Sequence, residues 1–224
     1  MMTDEEVVHE MMEKEGGNMF PSTQTRRLED RRLVWPPVDE MIATGIRVRD
    51  LDWQSEEQIE QVSRLHRQAF PELFGSLYED ILFPGRWSCW AEHWRIYTAT
   101  EDERLAAACV LTPSVQNMAV ELSVIVTDPA FRGRGIARQF NRLIDRLIGQ
   151  SGAEYGTAFC ATFHIATQKI VEELGFQRIG ELRGYVLANV GKGRYARDTV
   201  VMYTKLYGEA SKLCPAQRKL TTDA

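Results

Sequence analysis

The sequence predicts an α/β domain with a mostly antiparallel start and a βαβ centre. Three observations point there. Short stretches alternate apolar and polar residues, beginning at Ile46; apolar residues recur at helical spacing in two longer stretches; and one strand, glycine turn, helix and strand follow one another between Val120 and Ala161. Alternation with period two lays one strand face on a core, and spacing of three to four does the same for a helix. Their mixture in this order is that of an α/β domain.

Ile46-Arg47-Val48-Arg49-Asp50-Leu51 reads as a half-buried strand. From Ser55 to Phe70, Ile59, Val62, Leu65 and Phe70 make one apolar helical face. Glu56, Glu57 and Glu60 favour the positive end of the helix dipole, and Pro71 stops the helix. Residues 72–83 read as a second short helix ended by Pro84-Gly85. Strands are expected at Arg95–Thr100 and Leu105–Thr112, joined by a turn at Glu101-Asp102-Glu103, and then at Val120–Thr127. A helix from Gly135 to Gly149, a strand from Gly156 to Ala161 and a helix from Ile165 to Leu174 follow. The last strands are expected at Gln177–Leu182 and Thr199–Lys205, with a long glycine-containing, mobile connection between them.

Residues 1–40 lack a regular apolar period, end in Trp35-Pro36-Pro37 and read as a disordered or loosely docked extension. The domain is expected over 41–208, with a polar tail at 209–224. The net charge of −5 is carried by the extension, where ten acids face five bases, so the remainder is formally neutral. A neutral body gives no bulk electrostatic case for nucleic acid. No stretch approaches the roughly 18 apolar residues of a membrane span, and the acidic start is unlike a secretory signal. The four cysteines form no C-x-x-C pair, which argues against a zinc site or a disulfide framework and for a cytoplasmic protein without metal.

The chemistry is concentrated in Glu121-Leu-Ser-Val-Ile-Val-Thr-Asp-Pro-Ala-Phe-Arg-Gly-Arg-Gly-Ile-Ala137, which leads into the helix of Phe140, Leu143, Ile144 and Leu147. Free N–H groups and the dipole at a helix N-terminus attract anions, and glycines let the backbone approach a phosphate closely. Arg132 and Arg134 add positive charge. The run is neither a Walker loop, which needs Gly-Lys-Ser/Thr, nor a dinucleotide fingerprint, which would need glycine at Arg138.

Arg132-Gly133-Arg134-Gly135-Ile136-Ala137 resembles the Arg/Gln-x-x-Gly-x-Gly/Ala signature of the GNAT superfamily of acyl-CoA-dependent N-acetyltransferases. So do the preceding Val126-x-x-Pro129 and a downstream helix ending in Leu174-Gly175-Phe176. The likeness is sharp over 119–182 and follows element order over about 45–206. It implies the GNAT fold: a mixed, mostly antiparallel central sheet of six to seven strands flanked by helices, with a V-shaped splay between the family's fourth and fifth strands. It further implies that acetyl-CoA is the cosubstrate. Pantetheine would bond the backbone of Ile125, Val126 and Thr127, and pyrophosphate would rest on N–H groups of Gly133, Arg134, Gly135, Ile136, Ala137 and Arg138, beside Arg132.

For catalysis the resemblance makes Glu121 the candidate base, against the alternative of a solvated strand-edge acid. Counting by twos places Glu121, Ser123 and Ile125 on one face. Val171 stands where the family commonly has a tyrosine acid. His164 stands where relatives carry a pantetheine-contacting asparagine, and could bind cofactor, shuttle a proton or merely start a helix. Tyr78, Trp90 and Tyr185 are candidates to line the acceptor pocket. Arg194 or Arg197 could clasp a carboxylate on the acceptor, or belong to a solvated loop. The expected function is transfer of an acetyl or other short acyl group to a primary amine of a small molecule. Alternatives are a protein lysine or N-terminal acetyltransferase and a catalytically degenerate acyl-CoA sensor. No nucleic-acid or membrane partner is expected, and an open strand beside the V would favour a homodimer.

Overall fold

A computed structural model describes residues 31–43, 45–69, 94–191 and 194–212. The expected helix at 72–83 and the candidates Tyr78 and Trp90 lie outside them. Eight strands form one sheet: β1 (Asp39–Ala43), β2 (Ile46–Asp50), β3 (Arg95–Glu101), β4 (Arg104–Ser114), β5 (Ala119–Thr127), β6 (Tyr155–Ala161), β7 (Gln177–Gly191) and β8 (Arg194–Leu206). Their spatial order is β1-β2-β3-β4-β5-β6-β8-β7. Every pairing is antiparallel except β5 with β6. That parallel pair needs a crossover, which helix α2 (Ile136–Gln150) supplies. Helix α1 (Glu56–Ala69) lies between β2 and β3 in the chain, and α3 (Ile165–Glu173) between β6 and β7.

The sheet has one strand more than the sequence suggested. The added β1 joins at Asp39, where Val38 is already buried and Leu33 and Trp35 pack on the core. The larger correction concerns the end of the chain. The segment read as a mobile connection, including Gly184, Tyr185 and Arg197, is instead the body of a long hairpin in which Val186 pairs with Asp198 and Gly191 with Arg194. Gly184 marks irregular pairing between Leu182 and Val186, and Gly191 another after Asn189, not a loop.

The sheet has two faces with separate cores. On one, Phe140, Leu143, Ile144, Leu147 and Ile148 of α2 pack with Cys109, Leu111, Val120 and Leu122. On the other, Ile59, Val62 and Leu65 of α1 pack with Ala108, Val110, Val124 and Val126. Each fully buried aliphatic contributes roughly 1.5–3 kcal/mol, so these two stripes hold the helices on opposite faces. Lys205 fastens the first side, donating from Nζ to both Asp145 oxygens at 2.8 Å and to the Leu174 carbonyl at 2.7 Å, while the Tyr207 hydroxyl donates to Asp145 at 2.8 Å.

The packing is tight where β6 begins. A Cβ on Gly156 would stand 2.8 Å from Tyr207 Cε2 and 3.3 Å from Phe176 Cε1, both on buried rings. Gly156→Ala is therefore expected to destabilise the domain by about 1–3 kcal/mol, the usual cost of overpacking. Urea unfolding measures it, and an unchanged midpoint would mean that the two rings yield freely.

Candidate active site

Strands β5 and β6 part company halfway along. Their register runs from Ala119↔Tyr155 to Leu122↔Ala158 and stops, although β5 continues to Thr127 and β6 to Ala161. From Ser123 onward the edge of β5 that faces β6 has no partner strand among the described residues, while its other edge stays paired with β4. The opening holds a cleft of about 310 Å³. Glu121 to Ile125, Ala158 to Ala161, Phe163 and His164 contribute to its walls, with Tyr185 and Asp198 from the hairpin.

Glu121 sits where the strands diverge, opposite Thr112 on β4 and Thr157 on β6. The β4–β5 register then shifts: Leu111 faces Leu122, but Val110 faces Val124, so Ser123 is an extra residue, a β-bulge. The bulge reverses the alternation. Leu122 belongs to the α2-side core, Val124 and Val126 to the α1-side core, and Ile125 packs on the α2 side. Ile125 therefore does not share a face with Glu121, as counting by twos had placed it. Glu121, Ser123 and Thr112 share the α1 face, and the Thr112 and Ser123 hydroxyl oxygens lie 2.6 Å apart. Burial pushes the Glu121 carboxyl above its ordinary 4.5, while a hydrogen bond from Ser123 pulls it partly back. A hydroxyl has one proton. With that of Ser123 given to Glu121, Thr112 donates to Ser123, and the chain of three fixes the carboxyl.

Beyond β5, the Asp128 carboxylate accepts from the Ala130 N–H at 2.7 Å and starts a turn whose buried Phe131 anchors it. Gly133 and Gly135 have φ of +78° and +75°, and a Cβ added at either would meet nothing within 4 Å, so conformation and not crowding requires glycine. Helix α2 starts here without a side-chain cap, and its first backbone bond runs from Gln139 N to Gly135 O at 3.2 Å. The N–H groups of Ile136, Ala137 and Arg138 thus precede the intrahelical ladder and suit an anion. Ile136 adds only backbone, since its side chain is buried.

The arginines are less available than the sequence implied. Arg134 forms a two-pronged pair with Glu101 and lies over the Phe131 ring, and Arg138 pairs with Glu173 at 2.7 Å. The Arg134 guanidinium holds the Glu101 carboxyl below its usual value. Arg132 reaches the Thr127 carbonyl with Nε at 3.3 Å. What this turn offers an anion is therefore mainly backbone donors beside positive-φ glycines.

On the far wall, His164 is the N-cap residue of α3. It makes no side-chain cap bond, and its ring meets Phe163 edge-on at 4.3 Å. Buried Val171 lines the cleft with an apolar surface. The Tyr203 hydroxyl is engaged elsewhere, donating toward Glu172 at 3.0 Å. Cys160 also lines the cleft, but burial pushes its thiol up to about 11, which leaves little thiolate to act as a nucleophile. Phe159 and Tyr185 stack with centroids 5.4 Å apart. Arg197, one of two candidates to clasp an acceptor carboxylate, donates to the Gly184 carbonyl at 2.8 Å and is not among the residues of the wall. Its neighbour Asp198 is there, as are Phe159 and Thr167, none of which sequence reasoning singled out. Alternation back from the buried Val200 could have found Asp198. Among the described residues, no group of three or more His, Cys, Asp or Glu could hold a metal ion, and no helix is long and apolar enough to cross a membrane.

Residues 59–176, more than half of the chain, match the sequence model of the Acetyltransferase (GNAT) family. None of the curated proteins matches the sequence. Among solved structures, the ribosomal-protein-S5-alanine acetyltransferase of Vibrio fischeri is 14% identical, with 75% of this chain and 96% of that one covered and a TM-score of 0.60. The ribosomal L7/L12 alpha-N-protein acetyltransferase in complex with coenzyme A is 15% identical, covering 75% and 98%, with a TM-score of 0.59. A Bacillus subtilis acetyltransferase in complex with CoA is 17% identical, covering 72% and 98%, with a TM-score of 0.53. At these identities the likeness is one of fold.

Proposed function

Because the chain belongs to the acetyltransferase (GNAT) family, we propose that it transfers an acetyl or other short acyl group from CoA to a primary amine of a small molecule, with Glu121 as the base. The observation that carries this reading is the parting of β5 and β6 beyond Leu122 and Ala158, with a partly buried carboxyl at the point of divergence and a glycine-shaped helix N-terminus beyond the open strand edge. The unpaired edge at Ile125 to Thr127 suits the amides of pantetheine, and the N–H groups of 133–138 suit its pyrophosphate. Solved relatives of the same fold contain CoA.

An alkylammonium has a pKa of about 10.4 and must lose a proton to react. Glu121 takes it, directly or through a water, and its raised pKa brings the carboxylate closer to the amine in proton affinity. The amine nitrogen then bonds to the thioester carbon, the C–S bond breaks, and the sulfur leaves with the electron pair. A thiol with a pKa of about 8.5 leaves tolerably as thiolate, but the apolar Val171 wall does not stabilise that charge, so a proton returned to the sulfur assists its departure. His164 also lines the cleft, which supports reading it as the group that returns a proton to the sulfur. Holding both reactants in the cleft supplies the rest through proximity.

The test is acetyl-CoA-dependent thiol release against a panel of amines and peptides, with product mass recorded. Stoichiometric CoA release and an acetylated small amine are expected. Acetylation of peptides alone would move the acceptor to proteins, and tight acetyl-CoA binding without any turnover would make the domain a sensor.

A further inference from the structure

Among the described residues, the walls of the cleft carry two carboxylates and neither lysine nor arginine. Glu121 stands at the closed end of the V, and Asp198 enters from β8. Register puts them on one face. Glu121 faces Thr157, Thr157 shares a face with Phe159 and Ala161 by alternation, Ala161 pairs with Val200, and Asp198 lies two residues before Val200. Asp198 Oδ1 accepts from the Thr199 N–H at 2.7 Å, which orients the carboxylate and uses one of its several acceptor sites. The stacked rings of Phe159 and Tyr185 lie along the same wall. Arg197, the adjacent cation, is turned to the Gly184 carbonyl.

An acceptor with its own carboxylate would bring a third negative charge into this cleft. An acceptor with a second cation would find a carboxylate for each nitrogen and aromatic faces for its alkyl chain and charge. We infer that the acceptor is a diamine or polyamine, one nitrogen presented to the Glu121 end and a second, still protonated nitrogen bound by Asp198. Asp198 is then the specificity-determining residue. This rests on the acyltransferase reading of the same cleft, and names its substrate class.

The experiment compares three series of three to eight carbons: α,ω-diamines, n-alkylamines and ω-amino acids. Each is titrated into the CoA-saturated protein for affinity and assayed with acetyl-CoA for thiol release. One charge-assisted contact predicts that the best diamine exceeds its monoamine by roughly 10-fold or more, with the amino acid weakest. Asp198→Asn keeps the acceptor for Thr199 N–H and should bring the diamine-to-monoamine ratio within about threefold, the loss of that one charged contact. Asp198→Glu should restore part of it. A ratio near one in the native protein, a ratio unmoved by Asp198→Asn, or a preference for the amino acid overturns the inference. Diamine binding that depends on Asp198 without thiol release from any amine sustains diamine recognition by Asp198 and overturns acyl transfer instead.

Discussion

Gly135→Glu is expected to weaken acetyl-CoA binding by at least about 100-fold, the equivalent of about 2.8 kcal/mol. Two effects add. A φ of +75° is left-handed, where a side chain with a Cβ costs about 1–2 kcal/mol, so the turn either holds strain or shifts its N–H groups. The new carboxylate also occupies the positive end of α2, where it competes with the phosphate for the same backbone donors. Nothing within 4 Å opposes the substitution sterically, so the domain should still fold. Gly135→Ala carries the strain without the charge and should fall between the variant and the native protein. Isothermal titration at fixed salt measures all three. A folded Gly135→Glu protein that binds acetyl-CoA normally would remove the phosphate cradle from this turn.

That turn was legible in the sequence because its determinants are local. Gly133, Gly135, the alternation of β5 and the apolar stripe of α2 lie within 30 residues and need no knowledge of distant partners. The bulge at Ser123 was not, because it is created by pairing with β4: counting along β5 alone cannot reveal that Val110 skips to Val124. The hairpin failed similarly. Gly184 and Gly191 look like loop residues in isolation, yet β8 provides the partner that keeps the chain extended there. The sequence pattern marks β8 only from Thr199, which leaves Arg197 and Asp198 in an apparent loop where the basic residues stand out. Alternation back from Val200 points to Asp198 only if β8 is extended past Thr199, and the structure runs it unbroken from Arg194 through Val200. The engagement of Arg134 by Glu101 depends likewise on the β3–β4 turn reaching the glycine turn, a contact 33 residues apart in sequence.

Glu121→Gln is expected to lower kcat/KM for the amine by about 10²–10³-fold, the range for removal of a general base. The affinity for acetyl-CoA should be nearly unchanged, because the cradle lies at the other end of β5. Native activity should fall as pH drops through the Glu121 pKa, which burial raises above 4.5, because protonation removes the base. In the glutamine variant that acidic limb should vanish. Stability gives an independent sign. A carboxyl whose folded pKa is raised binds its proton more tightly in the folded state, so its ionisation costs stability as pH rises from the unfolded to the folded value. The neutral glutamine escapes that cost and retains an acceptor for the Ser123 hydroxyl. Glu121→Gln should therefore be at least as stable as the native protein at neutral pH while losing nearly all turnover. A structural ion-pair acid would show the reverse, with stability lost and the remaining activity unaltered in its pH profile. Urea unfolding beside a pH series of kcat/KM distinguishes them. If the variant is less stable yet keeps the acidic limb, Glu121 is a structural residue and the base must be sought elsewhere on the cleft wall.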